Sequence, residues 1–168
     1  MRHPNEKRIL AIDLRSRSFG FAVFEGPTRL LDWGVRSFRH GVNAVRVPVY
    51  KKFAELMNDS SPSAIVVRKA SVESGKKAAM RQALAMQAEK HHILVALLSR
   101  RVIKSSFVGS NRNKYTIAVA LAKQLPELAP KLPPQRKIWK SEDYRMSIFD
   151  AAALGVAYFS RGEKRVRP

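Results

Sequence analysis

"RILAIDLRSRSFGFAV", residues 8–23, carries two apolar runs on either side of a short polar break. Residues Ile9 to Ile12 form the first run and Phe19 to Phe24, with Gly20 inside it, the second, and arginines and serines lie between them. Such a break is short enough for two antiparallel neighbours. One carboxylate, Asp13, ends the first run and stands beside Arg15 and Arg17. A lone acid at the end of a buried strand, among so many cations, marks the place from which the rest of the chain is best read.

The chain has 168 residues, 45% of them hydrophobic, which suits one domain with a real core rather than a disordered segment. Thirty-two Lys and Arg against 13 Asp and Glu leave a net charge of +19. Self-repulsion on that scale points to a polyanionic partner, and nucleic acid is the first candidate. There is no cysteine, which removes thiol nucleophiles, Cys-ligated metals and disulfides. The first apolar run is too short for a signal-peptide core, and the stretch from Ile148 to Phe159 is broken by Asp150 and falls short of a membrane span. These features predict a soluble cytoplasmic protein with no membrane partner.

Three extended segments, Ile9 to Asp13, Phe19 to Phe24 and Leu30 to Arg39, predict an antiparallel meander. A helix is expected over residues 41–59, and the β-branched run Ser63 to Val67 reads as a buried central strand. The spacing of Leu84, Ala88, His91, Val95 and Leu98 predicts a long helix from Ala78 to Arg100, followed by a strand from Val102 to Val108. A polar loop then opens a helix, a Pro-rich connection covers Pro126 to Pro134, and a last helix runs from Ser141 through Tyr158. The basic tail 161–168 is expected to be loose. Antiparallel strands followed by strands joined through helices imply a single α/β domain, a mixed sheet with helices on both faces.

"AIDLRSRSFGFAV" with "LLDWGVRSF" resembles the opening of the RuvC-type Holliday junction resolvases of the RNase H-like superfamily. "VIKSSFVGSNRNKYTIAVAL" resembles their basic strand, glycine loop and Lys-opening helix, and "FDAAALGVAY" their closing helix. The resemblance implies an RNase H-like sheet, catalytic Asp13 and Asp150, and DNA-contacting Lys104 and Lys114 around Gly109. It also implies two divalent cations, Mg²⁺ or Mn²⁺, held by converging carboxylates that position the scissile phosphate and generate the attacking hydroxide. Homodimerisation is implied as well, with the expected helix 78–100 as its surface. A bacterial nucleoid setting accompanies these expectations.

The chain departs from that pattern at two of four ligand positions. Where the family's fourth strand ends in glutamate, "AIVVRKA" has Arg68; one turn before the last aspartate, where the family has an acid or histidine, stands Ser147. Asp13 and Asp150 alone remain as metal ligands. Glu73, Glu142 and Asp143 are surrogate acids to weigh, although two helical turns would separate Asp143 from Asp150 by about 10 Å, and Glu142 and Asp143 also suit a helix start capped by Ser141. Arg68 is expected to pair with Asp13 or Asp150 and replace the metal by a fixed cation, which cannot supply hydroxide. Arg15, Arg17, Lys69, Lys76, Lys77, Lys104, Arg112 and Lys114 are the candidate phosphate contacts. Trp139, in the polar "RKIWK", suits base stacking better than Trp33, which reads as core. His91 and His92 point about 100° apart on a helix and do not suit one ion. The expectation is a branched-DNA-binding domain with an altered or lost nuclease centre; the alternatives are an active metal-dependent junction endonuclease and a non-catalytic component of a nucleoprotein assembly.

Overall fold

The computed structural model describes residues 7–38, 46–70, 72–73, 75–109 and 113–165. Strands β1 (Arg8–Leu14), β2 (Ser18–Glu25) and β3 (Leu30–Ser37) form the expected meander. Helix α1 (Arg46–Ser60), strand β4 (Ala64–Arg68), helix α2 (Gly75–Lys90) and strand β5 (Leu94–Leu98) follow. Then come α3 (Arg100–Ser105), α4 (Lys114–Gln124), a 3-10 segment over Pro126–Lys131 and α5 (Met146–Arg165). The sheet order is β3-β2-β1-β4-β5, with β4 parallel to both β1 and β5. This is a mixed α/β sheet of the RNase H-like kind.

Alternation along the strands sorts the chain into two apolar layers. Leu10, Ile12, Leu14, Phe19 and Phe21 pack beneath α1 and α2, with Phe53 and Met80. Ile9, Ala11, Ala22, Phe24 and Val66 pack on the other face, beneath α4 and α5, with Leu121, Phe149 and Ala152. The same two-residue period places Asp13 and Arg68, at the ends of β1 and β4, on the face that α5 covers.

Two glycines let α5 lie close to the sheet. A Cβ on Gly20 would enter the backbone carbonyl and hydroxyl of Ser147, and one on Gly155 would enter the ring of Phe24. Gly20 pairs with Asp13 across the β1–β2 ladder, so the first of these contacts lies directly beside the carboxylate.

Three expectations are corrected. The helix expected to reach Arg100 ends at Lys90, and its last stretch is the edge strand β5. The stop is a Schellman motif in which Ile93 N donates to Ala88 O at 2.8 Å and His92 N to Glu89 O at 3.0 Å. His92 takes the left-handed position with φ of 54°, so the glycine that usually signals such an ending is missing. Next, the strand expected from Val102 is the short helix α3, capped by Ser99, whose hydroxyl accepts from Val102 N. Finally, α5 begins at Met146 rather than Ser141 and continues to Arg165, across most of the tail expected to be loose. Among the described residues no helix is long and apolar enough to cross a membrane.

Gly155→Ala should lower unfolding free energy by about 1–3 kcal/mol through overpacking against Phe24. Urea midpoints test this. The double variant Gly155→Ala, Phe24→Leu should recover part of the loss, showing as a non-additive cycle.

Candidate functional site

Asp13 leaves β1 on the α5 side, and Arg15, two residues on in the hairpin, follows it on the same side. Arg15 N donates to Ser18 O at 3.0 Å, which holds the turn. The guanidinium then spans the acidic cluster: Arg15 Nε donates to Asp13 Oδ2 at 2.9 Å, and Nη2 to Asp150 Oδ2 at 2.8 Å and Glu142 Oε1 at 3.4 Å. Lys114, opening α4, closes the other side, with Nζ 3.1 Å from Asp150 Oδ2 and 3.0 Å from Glu142 Oε1. The buried Ser147 hydroxyl donates to Asp13 Oδ2 at 2.9 Å. Thus Asp13 Oδ2 and Asp150 Oδ2 each already take two donors.

Electrostatics lock this arrangement. Burial would lower the Arg15 pKa, but Asp13, Asp150 and Glu142 together raise it. Burial likewise works against the Lys114 ammonium, and Asp150 and Glu142 outweigh it, so its pKa is raised. Glu142 is held below its ordinary value despite partial burial, because Lys114 and Arg15 stabilise its charge. Asp150 goes the other way: burial first, then the charge of Asp13, pushes its carboxyl up against the pull of Lys114 and Arg15. The cluster is an ion network in which three carboxylates face two cations, one formal negative charge in excess.

Arg68 does not make the expected pair with Asp13 or Asp150; Arg15 takes that place. Arg68 instead lines a cavity of about 210 Å³ whose walls also include Asp13 and Asp150, the cations Arg100, Lys104 and Lys114, and the apolar Ile103, Ile117 and Leu154. Arg68 and Arg100 also border an adjoining cleft of about 420 Å³ that holds Lys69, Lys77 and Glu73.

The surrogate acids separate. Glu73 is held by Arg81 at 2.6 Å, and that pairing lowers its pKa, so it faces the adjoining cleft rather than the aspartates. Asp143 takes the backbone N–H and the guanidinium of Arg145, both at 2.9 Å at its Oδ1. It caps the turn into α5, the part expected of Ser141. Of the three, only Glu142 joins the cluster. Arg17 and Lys69 are exposed, Lys76 is half-buried at the start of α2, and Arg112 lies outside the described residues. His91 and His92 sit at the end of α2, not within it; His91 Nδ1 contacts Gln87 O at 2.9 Å.

Two features escape a reading by residue type. Arg15, expected as a phosphate contact, is the cation that neutralises the site, and its i, i+2 spacing from Asp13 in extended chain is the signal. Arg100 enters both cavities because β5 ends at Leu98, which a helix over that stretch conceals.

The donor set does not fit a pair of magnesium ions. Such a site needs several free carboxylate oxygens. Here the two aspartates have Oδ2 engaged by Arg15, Lys114 and Ser147, and Arg68 adds a cation to the lining of the same cavity. Among the described residues no three His, Asp or Glu side chains group to hold a metal.

The fold is that of the RuvC-type resolvases. Thermus thermophilus RuvC in complex with a Holliday junction substrate superposes with a TM-score of 0.72 at 15% identity, over 95% of this chain and 97% of that one. The yeast mitochondrial Holliday junction resolvase gives 0.58 at 13% identity, over 96% and 84%. The fowlpox virus resolvase in complex with Holliday junction DNA gives 0.55 at 13% identity, over 95% and 99%. No protein-family model matches the sequence, and no curated protein matches it.

Arg145 lowers the Asp143 pKa from 3.8 to about 2. A depressed carboxyl contributes stability that is complete above its unfolded value and lost as pH falls through its folded one. The difference in thermal midpoint between the wild type and Asp143→Asn should therefore close between about pH 4 and pH 2, as measured by circular dichroism.

Proposed function

We propose that this chain binds branched DNA, four-way junctions above all, and does not cleave it. The observation that carries the proposal is Arg15, whose guanidinium bridges Asp13 and Asp150. In the resolvases that the chain resembles, aspartates in those places serve divalent cations. A guanidinium neutralises the same charge but carries no ionisable water, so it offers no hydroxide at neutral pH. Arg68 and Arg100, which line the cavity next to these acids, suit phosphate, and the overall charge of +19 suits a polyanion. The resolvases bound to Holliday junctions share the fold at low identity, which favours branched DNA among polyanions.

A homodimer belongs to the same proposal. Exposed Met86 on α2, with Leu94 and Leu97 on the edge strand β5, offers apolar surface in the region that the resemblance assigns to pairing. Light scattering should give twice the 19.0 kDa of one chain.

A second reading, a metal-dependent nuclease, has one observation in its favour. Glu142 approaches the same Arg15 as Asp13 and Asp150, so withdrawal of that side chain would leave three carboxylates on one side of the site with Lys114 as their remaining cation.

Two measurements decide between them. On a labelled four-way junction with Mg²⁺ or Mn²⁺, the wild type should bind more tightly than to duplex of equal length and leave the strands intact. Equal affinities across a salt series would overturn junction recognition, and cleavage lost in Asp13→Asn would overturn the silent centre. Separately, Mn²⁺ should raise the thermal midpoint of Arg15→Ala and leave that of the wild type unchanged.

A further inference from the structure

Between the 3-10 segment and α5 the chain makes a tight turn whose tip is apolar. Lys140 N donates to Lys137 O at 3.0 Å, closing a four-residue turn with Ile138 and Trp139 at its centre. Arg136 Nη1 donates to Lys140 O at 3.3 Å and braces the turn from outside. Ile138 is 95% exposed and Trp139 77% exposed, although each would gain about 2 kcal/mol from burial. Trp33, by contrast, packs against the core. The Lys137 ammonium lies 5.5 Å from the centre of the Trp139 ring. Single exposed apolar residues are common on protein surfaces. Two adjacent ones at the tip of a hydrogen-bonded turn, ringed by Arg136, Lys137 and Lys140, are a different matter.

The turn also has a definite place relative to the acidic cluster. Arg136 borders a cleft of about 290 Å³ together with Lys114 and Glu142, the two residues that close the cluster on that side. A strand whose phosphates followed the cationic rim past Lys114 would meet the turn next.

We propose that the turn Lys137–Lys140 is a stacking post for an unpaired nucleobase, with Trp139 as the platform and Arg136, Lys137 and Lys140 attracting the phosphates on either side. Aromatic rings take up bases without regard to sequence because every base has a π face, and flanking cations draw in the backbone. The hydrogen-bonded turn fixes the backbone that carries the ring before binding, so less conformational entropy is lost there. A base paired within duplex cannot present its face to such a ring. The post therefore selects unpaired nucleotides, such as those opened at a branch point. It rests on the nucleic-acid binding proposed above, and not on a preference for junctions.

The test uses the full chain, oligo-dT as the unpaired strand and a duplex of equal phosphate content. Oligo-dT should quench the tryptophan emission of the wild type and of Trp33→Phe, but not that of Trp139→Phe, and duplex should quench weakly. Trp139→Ala should bind oligo-dT about 5- to 150-fold more weakly, the range for loss of one base–aromatic stack, and duplex with unchanged affinity and salt slope. Trp139→Phe should recover most of the oligo-dT affinity. Equal oligo-dT affinity in Trp139→Ala and wild type would overturn the proposal, as would parallel loss for oligo-dT and duplex, no binding of oligo-dT by the wild type, or emission that shifts only with a protein partner. Failure of the junction preference instead reads out in the junction-to-duplex ratio, which these measurements do not use.

Discussion

The bridge from Arg15 to Asp13 and Asp150 governs the site. Two carboxylates on neighbouring elements, one at the end of β1 and one on α5, repel each other and resist burial, as the raised pKa of Asp150 records. Something cationic must stand between them. A planar guanidinium can serve both at once because its donors diverge: Nε reaches Asp13 while Nη2 reaches Asp150. An ammonium in the same place would be a single point charge. Lys114 supplies that second kind of contact from the far side, and Glu142 completes the charge pattern without entering the core.

Packing makes that bridge geometrically available. For Asp150 to come within reach of a residue in the β1–β2 hairpin, the first turn of α5 must lie almost on β2, and Gly20 is what permits it. The buried Ser147 hydroxyl, set against Gly20, then finds Asp13 as its acceptor. A hydroxyl with no acceptor at that depth would cost about 1–3 kcal/mol. Burial of Ser147 and orientation of Asp13 are thus one event, and they turn the carboxylate towards α5, where Arg15 meets it.

The fold is legible where local signals agree and illegible where one is missing. The meander reads clearly because apolar alternation and polar breaks coincide, and β4 because four apolar, β-branched-rich positions, Ala64 to Val67, follow a turn. The helix over residues 75–90 is likewise visible in its spacing. Its end is not, because His92 occupies the left-handed position without the glycine that normally announces it, and the displaced boundary turns β5 and α3 into each other's place. In the site, Asp13 and Ser147 lie in hydrogen-bond contact, as do Asp150 and Lys114, and Arg15 links the two pairs. Which arginine neutralises the acids is not legible from position alone. Arg68 stands where a ligand is expected, yet a strand-end side chain lines the cavity beside the acids, whereas a hairpin residue two beyond Asp13 folds back over them.

Given Arg15, Arg68 has a different physical meaning from a counter-ion. The carboxylate cluster carries three negative charges against two positive ones before Arg68 is counted, so a further cation in the lining of the adjoining cavity brings the formal balance to neutral. Arg100 and Lys104 line the same cavity, and the adjoining cleft adds Lys69 and Lys77. A divalent site draws a phosphate inward, onto metal and water. On the proposed function, a cluster already occupied by its own cations and bordered by guanidinium and ammonium groups attracts the same phosphate without supplying a hydroxide to attack it. On that proposal Arg68 adds a phosphate contact where the resemblance expects a ligand, Ser147 fixes Asp13 by hydrogen bonding, and the strand is retained in the place where a resolvase would cut it.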